Sequence, residues 1–193
     1  MNTKFEKAIL LIDERNSKDP NIELHLWKEY PKELLYSRRM SQKLLEINPN
    51  APEALQIAAR AQHICRWGIL RNKYPMGKTG YLDWRNKLQK HHSQITSDIL
   101  KEVGYNDNFI DQVSFLISKK SLKKDKDSQM LEDVVCLVFL EYYLADFGSK
   151  HTEEKVIDIL QKTWRKMSEQ GQKTALTLKL SEKTLNLVKK ALA

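Results

Sequence analysis

Three histidines and a pair of adjacent carboxylates are the side chains of this sequence best suited to acid–base chemistry or metal binding. Glu132 and Asp133 stand near the start of the apolar stretch 129–147, and buried carboxylates need polar partners. Histidines and carboxylates on facing helices hold divalent metals and activate water in helical domains. The catalytic candidates are His63, His92, Glu132 and Asp133, and the candidate ligands of a divalent metal are His63, His92 and Asp133.

The same residues also have purely structural explanations. A histidine on an apolar stripe is often a hydrogen-bonded core residue, and acids near a helix start favour the helix dipole. His91 and His92 both fall within one predicted stripe, so the sequence leaves open which of them points inward. Whether a metal is bound is open as well.

A basic segment, residues 60–90, carries eight lysines and arginines against one acid, Asp83. The whole chain has a net charge of +8, from 33 basic and 25 acidic residues. Such a segment indicates either an anionic ligand or an ordinary solvated basic face. The residues expected to hold a phosphate group are Arg60, Arg66, Arg71, Lys78 and Arg85. Nucleic acid is a second candidate partner, with stacking aromatics at Trp67, Tyr74, Tyr81 and Trp84.

The run Gly77-Lys78-Thr79 invites comparison with a P-loop. That motif requires a glycine five positions before its last glycine, and this sequence has Asn72 there. It also requires a preceding strand and an immediately following helix, whereas we expect the next helix to begin near Leu82. We therefore exclude a P-loop and interpret the run as a glycine-rich turn whose backbone amides can approach an anion.

Length and composition indicate one globular domain over residues 1–193. Hydrophobic residues make up 41% of the chain and charged residues 30%. The two cysteines, Cys65 and Cys136, lie in apolar stretches, which argues against disulfides and favours a reducing cytoplasm. No apolar run approaches the roughly 18 residues of a membrane span, and no signal pattern opens the chain. We expect a cytoplasmic protein without a membrane partner.

Apolar residues at spacings of three and four predict helices along most of the chain, without a repeat or a strong strand pattern. Residues 22–30 are interpreted as either extended chain or loop. The expected fold is all-α, a compact orthogonal helical bundle. The helix 53–67 would place Arg60, His63 and Trp67 along one side. The predicted helices are 2–15, 32–47, 53–67, 82–103, 109–117, 129–147, 152–168 and 174–192.

Five runs of the sequence form a combination that is specific enough to indicate a protein family. These runs are Glu33–Ser41, Ile57–Trp67, Tyr74–Arg85, Ser128–Tyr143 and Lys162–Gly171. Together they resemble a bacterial and fungal family known as domain of unknown function 4202, which has no established activity. Some of its members bear a glutamyl-tRNA synthetase label. His63-Ile64 and Lys166-Met167-Ser168 match only the beginnings of two synthetase signatures, so chance resemblance is the better account.

A weaker similarity involves Tyr36–Met40, His63-Ile64 and Asp133–Leu137, which follow the order of the motifs in the HD superfamily of metal-dependent phosphohydrolases. His91 or His92 falls where some HD proteins have a further histidine. Tyrosine, isoleucine and valine replace three of the four standard metal ligands. The resemblance implies an HD-like helical fold with an altered site.

Three hypotheses of function follow. The first is an HD-like protein that binds or hydrolyses a phosphorylated small molecule or nucleotide, possessing a remodelled metal site or acid–base groups. The second is a metal-free module that binds RNA or another polyanion through the basic segment. The third is a protein-interaction adaptor that keeps the fold without the chemistry.

Overall fold

The structure is a computed structural model, and it describes residues 3–119 and 121–192. Helices account for most of these residues. The prediction of an all-α fold is therefore confirmed. The chain divides into two compact units, Met1–Lys120 and Ser121–Ala193, and a single domain over 1–193 stays a prediction. Among the described residues, no helix is both long enough and apolar enough to cross a membrane.

The first unit contains five helices and one β-hairpin among its described residues. The hairpin is antiparallel, and its strands pair from Ile22 opposite Pro31 to His25 opposite Lys28. Two short 3-10 turns, Arg66–Gly68 and Arg71–Lys73, connect the third helix to the fourth. The elements are α1 (Lys4–Asn16), β1 (Ile22–His25), β2 (Lys28–Pro31), α2 (Lys32–Ile47), α3 (Glu53–Ala61), α4 (Lys78–Val103) and α5 (Asp107–Ile117).

Helix α3 is the centre of this unit, because it packs against α1, α2 and α5. Its alanines are buried and small, which lets the neighbouring helices approach closely. Helix α4 packs against α1 and α5. The largest fully buried side chains of the unit are Ile12, Met40, Leu44, Leu55, Ile57, Ile64, Ile99, Leu100, Leu116 and Ile117.

Two boundaries in the first unit differ most from the sequence-based expectation. The helix expected over 53–67 ends at Ala61, and Cys65 takes a left-handed conformation (φ 51°), which an α-helix cannot accommodate. Helix α4 begins at Lys78 rather than near Leu82, directly after Gly77 (φ 98°). A helix therefore does follow the Gly77-Lys78-Thr79 run, although a 3-10 turn precedes it instead of the strand that a P-loop requires.

The second unit is helical throughout its regular structure. Helix α6 (Lys126–Val138), a π-helical turn at Phe139–Tyr143 and helix α7 (Leu144–Ser149) follow one another without a break. The helix expected over 129–147 is therefore present. The segment expected as a helix over 174–192 is instead interrupted at residues 176–181. Its first two residues end α9 (Glu169–Ala175), which Ser168 caps, and α10 (Glu182–Leu192) contains its last part. The elements are α6 (Lys126–Val138), α7 (Leu144–Ser149), α8 (Glu153–Lys166), α9 (Glu169–Ala175) and α10 (Glu182–Leu192).

Candidate functional site

The start of α2 is held by an aspartate from outside the helix. Pro31 precedes α2 and provides no side-chain cap. The buried Asp19 carboxylate instead accepts a hydrogen bond from the Glu33 backbone N–H (2.9 Å) and another from the Asn21 N–H (2.9 Å). One of the unsatisfied N–H groups of the first turn thus gains a charged acceptor, and Glu33 takes a defined position.

His63 lies against two residues of α2. Its Nδ1 atom is 3.3 Å from Glu33 Oε2, an ion-pair distance, although the two groups are not aligned as a hydrogen bond. The imidazole ring also stacks on the Tyr36 ring, with centroids 4.1 Å apart and planes 10° apart. Glu33 and Tyr36 are both buried, so α2 fixes the orientation of His63 on two sides.

His91 and His92 bind consecutive backbone carbonyl groups of the turn after α3. His92 Nδ1 lies 2.7 Å from the carbonyl oxygen of Ile64, and His91 Nε2 lies 3.2 Å from that of Cys65. The Asn16 side chain accepts the Cys65 backbone N–H (3.1 Å). His92 is the buried member of the pair, and its ring centroid is 6.0 Å from that of His63. The inward-pointing histidine is therefore His92.

Burial and nearby charge keep His63 and His92 neutral near pH 7. Burial lowers the pKa of His63 well below its usual range, and the positive charges of Arg66, Lys119, Arg85 and Lys32 lower it further. Burial, with His63 nearby, lowers the pKa of His92 to about 3, although the hydrogen bond to Ile64 opposes the shift. Burial raises the pKa of Glu33 despite the nearby Arg66 and Lys32. The side chain of His63 keeps 24% of its surface exposed, so we attribute its pKa direction to burial and cations jointly.

The five cationic residues expected to hold phosphate have different surroundings. Arg60 donates two hydrogen bonds to the Asp13 carboxylate (2.7 and 2.6 Å), which satisfies its charge within the unit. Arg71 donates to the carbonyl oxygen of Tyr74 (2.9 Å). Lys78 is exposed in the first turn of α4. Arg66 and Arg85 are the two that act electrostatically on His63.

Arg66 is the cation most closely built into the His63 site. Its guanidinium lies 5.1 Å from the centre of the Trp84 ring, and its Nη1 is 4.0 Å from Glu33 Oε1. The Trp84 N–H donates to the carbonyl oxygen of Ile69 (2.9 Å). Trp84 is only 9% exposed, so its ring packs against the Arg66 guanidinium and is not accessible for stacking on a nucleic-acid base.

In the second unit, Asp133 joins the end of α8 to the start of α9. Its carboxylate accepts hydrogen bonds from the Ser168 N–H (2.8 Å), the Ser168 hydroxyl (2.5 Å) and the Gln129 side chain (3.0 Å). A Cβ atom on Gly171 would stand 2.6 Å from the Asp133 Cγ, so only glycine fits there. The neighbouring Glu132 is buried, with Lys166 Nζ 3.6 Å from its carboxylate.

These contacts give the predicted carboxylates partners inside their own unit. The predicted grouping of His63 and His92 with Glu132 and Asp133 joins residues of both units, and it stays a prediction. Within residues 3–119 and 121–192, no group of three or more histidine, cysteine, aspartate or glutamate side chains is arranged to hold a metal ion.

Glu33 was missed as a site residue by the sequence reasoning, and Tyr36 was noted only as a replacement for a histidine. Both belong to the run Glu33–Ser41, which carries part of the family resemblance. An acid in the first turn of a helix has an ordinary explanation in the helix dipole, so the sequence offered no reason to single out Glu33. Its burial and its contact with His63 depend on residues 30 positions apart, which only the fold brings together.

Comparison with known proteins agrees with the sequence resemblance. No curated protein and no solved structure matches the chain. A family described as Domain of unknown function (DUF4202) matches residues 6–188, which is nearly the whole chain, and the protein belongs to that family.

Proposed function

We propose that the unit Met1–Lys120 binds a phosphorylated small molecule, such as a nucleotide, at the site around His63. The observation that carries this proposal is the grouping of His63, Glu33 and Arg66, in which Glu33 Oε2 is 3.3 Å from His63 Nδ1 and Glu33 Oε1 is 4.0 Å from Arg66 Nη1. The positive charges of Lys32, Arg85 and Lys119 also act on the imidazole. Glu33 is the buried acid beside them, and burial raises its pKa because the charged carboxylate is poorly solvated there. A phosphate group would supply the negative charge that these cations favour.

In the proposed reaction, His63 is the group that accepts a proton. Its Nδ1 faces Glu33, so Nε2 lies on the opposite side of the ring, and 24% of the side-chain surface is exposed. A neutral imidazole can take a proton from water at Nε2, and a carboxylate at Nδ1 stabilises the imidazolium that results. Tyr36 stacking keeps the ring from rotating out of this orientation.

This arrangement supports hydrolysis of a phosphoester as the reaction of the site. The oxygen of a water molecule would attack phosphorus while His63 takes its proton. The ester P–O bond then breaks, and the leaving oxygen takes a proton from solvent. Arg66 would stabilise the negative charge on the phosphoryl oxygens, as guanidinium groups do in phosphoryl transfer. The distant resemblance to HD phosphohydrolases points to the same substrate class, with histidine chemistry in place of the complete metal centre.

Binding of RNA or another polyanion is the second candidate function. The observation in its favour is a set of exposed basic residues along the start of α4 and before it, which are Lys73, Lys78, Lys87 and Lys90. Tyr81 is 42% exposed on the same helix, beside Arg85. Trp84, in contrast, is buried and engaged with Arg66, which removes one of the four expected stacking aromatics.

The test is calorimetric titration of the protein with inorganic phosphate and with nucleoside monophosphates at constant ionic strength. We expect saturable binding to the wild type and at least about tenfold weaker binding to R66Q, because the best-placed cation is removed. K87Q is the matched control, since Lys87 is an exposed cation of α4 outside the set that acts on His63. Equal losses in R66Q and K87Q would instead indicate diffuse charge attraction.

Hydrolysis is tested separately, with a panel of phosphomonoesters, in chelator and with added divalent metals. We expect H63N to retain phosphate binding within a few-fold and to lose turnover by at least about a hundredfold. An unchanged rate in H63N would refute the role of His63. Tight RNA binding with a steep salt dependence, and no small-molecule binding, would favour the polyanion function.

A further inference from the structure

The β-hairpin Ile22–Pro31 exposes an unusual concentration of large apolar side chains. Trp27 is 96% exposed and Leu26 is 81% exposed, and the two residues form the tip of the hairpin. Leu24 and Ile22 on β1 are 65% and 54% exposed. Scattered apolar residues are normal on a protein surface, but four in one hairpin mark an interaction surface.

The turn at the tip is made from residues that fit it poorly. Leu26 and Trp27 both have positive φ angles, 49° and 63°, between the paired residues His25 and Lys28. A two-residue turn with two positive φ angles is of type I′, for which Asn-Gly is strongly preferred. Leucine and tryptophan are strained in that backbone conformation. Because both side chains are exposed, they also contribute nothing to the hydrophobic core. Neither local geometry nor packing within the unit explains this Leu-Trp pair.

The hairpin is held against α2 by one face of β1. Glu23 and His25 of β1 both contact the Arg39 guanidinium on α2, at 2.5 and 3.2 Å. Side chains alternate along a strand, so Ile22 and Leu24 lie on the face away from Arg39. The contacts with Arg39 therefore fix the position of the hairpin, while its apolar face and tip remain exposed.

The exposed charges around the hairpin are mainly positive. Exposed basic residues between positions 14 and 32 outnumber the exposed acids Glu14 and Glu29, because Asp19 is buried and Glu23 is engaged with Arg39. The exposed basic residues are Arg15, Lys18, Lys28 and Lys32. A partner that fits this surface has an apolar region that can contact the tip of the hairpin and negative charges next to that region.

We infer that the hairpin Ile22–Pro31 anchors the protein to the surface of an anionic lipid bilayer. Tryptophan and leucine insert at the boundary between headgroups and acyl chains, and lysine and arginine attract anionic headgroups. This differs from the expectation drawn from the sequence, which excluded a membrane partner because no segment can span a bilayer. Surface anchoring requires only shallow insertion, so the lack of a spanning segment does not oppose it.

The experiment is cosedimentation of the full chain with vesicles of phosphatidylcholine, either alone or with about 30% phosphatidylserine. The central variant is L26N/W27G, which places the preferred Asn-Gly pair in the turn. Because it relieves backbone strain, it should fold at least as stably as the wild type. We expect wild-type binding to the anionic vesicles, at least about tenfold weaker binding of L26N/W27G, and weaker binding to neutral vesicles.

The matched control is L176N, since Leu176 is also exposed (64%) but lies outside the hairpin. A second readout is the wavelength of the tryptophan fluorescence maximum. It should shift to the blue when the wild type binds anionic vesicles, and it should not shift in W27F. No binding of the wild type, or equal binding of L26N/W27G, would overturn the inference. Loss of self-association in L26N/W27G without any vesicle binding would assign the hairpin to a second copy of the chain and would also overturn it.

Discussion

At the scale of single residues, the site depends on histidines that are held neutral. His92 lies 2.7 Å from a backbone carbonyl oxygen, so its Nδ1 carries the proton and donates. His63 is oriented by a carboxyl group and an aromatic ring, and several cations oppose its protonation. The folded chain therefore binds fewer protons at these rings than the unfolded chain does in mildly acidic solution.

The pH dependence of stability follows from that difference. The pKa of His92 is about 3 in the folded chain and about 6.5 when unfolded, so only the unfolded chain gains a proton between these values. Stability is fully present above about pH 6.5 and falls as the pH decreases. Between pH 7.5 and pH 5.5 we expect the contribution of His92 to lower the free energy of unfolding by about 1.4 kcal/mol.

The check is urea unfolding of the wild type and H92N at both pH values. Asparagine can donate to the Ile64 carbonyl without titrating, so H92N should lose about 1.4 kcal/mol less on acidification. His63 acts in the same direction and remains in the variant. Glu33 acts in the opposite direction, since its raised pKa makes the folded chain take up a proton first. H151N, which replaces an exposed histidine, is the control, and a slope unchanged in H92N would contradict the prediction.

At the scale of elements, the start of α2 connects the hairpin to the candidate site. Strand β2 ends at Pro31, and the next two residues, Lys32 and Glu33, belong to the surroundings of His63. Asp19, in the loop between α1 and β1, caps this helix and thereby positions Glu33. The hairpin base and the site are therefore built on the same helix.

Removal of the cap should weaken phosphate binding as well as folding. We expect D19A to lower the free energy of unfolding by about 1 kcal/mol, as the loss of a helix cap does, and to weaken phosphate binding several-fold. T3A is the matched control, because Thr3 caps α1 with a capping box and lies outside the site. T3A should show a similar loss of stability with unchanged phosphate affinity. Equal affinities in D19A and the wild type would separate Asp19 from the site.

At the scale of the whole molecule, the chain forms two compact units and is expected to be one domain. A single domain unfolds in one cooperative transition, so variants in either unit should lower the same melting temperature. G171A in the second unit forces a Cβ atom against Asp133 and should cost about 1–3 kcal/mol. Calorimetry of D19A and G171A measures this directly.

The control for G171A is G148A, where an added Cβ would meet its nearest neighbour at 3.8 Å, an ordinary contact. We expect G148A to change the melting temperature little and G171A to lower it by several degrees. Two transitions, each moved by only one of D19A and G171A, would show that the units unfold independently and would reject the single domain.

The sequence by itself determined the helical class and most helix positions, because apolar spacing reports which face of a helix is buried. It also identified His63, Arg66 and His92 as candidates for the site, since their types are suited to acid–base and anion chemistry. These inferences depend on residues close together in the chain.

Only the tertiary structure decided what surrounds those side chains. The end of α3 at Ala61 depends on Cys65, whose left-handed turn is stabilised by Asn16 and His91 from two other helices. Glu33 became a site residue through a contact with His63, and Asp133 acquired a partner in Ser168. The physical reason is that the burial and the electrostatic environment of a side chain depend on neighbours that are distant in sequence, and the local spacing of residues does not reveal those neighbours.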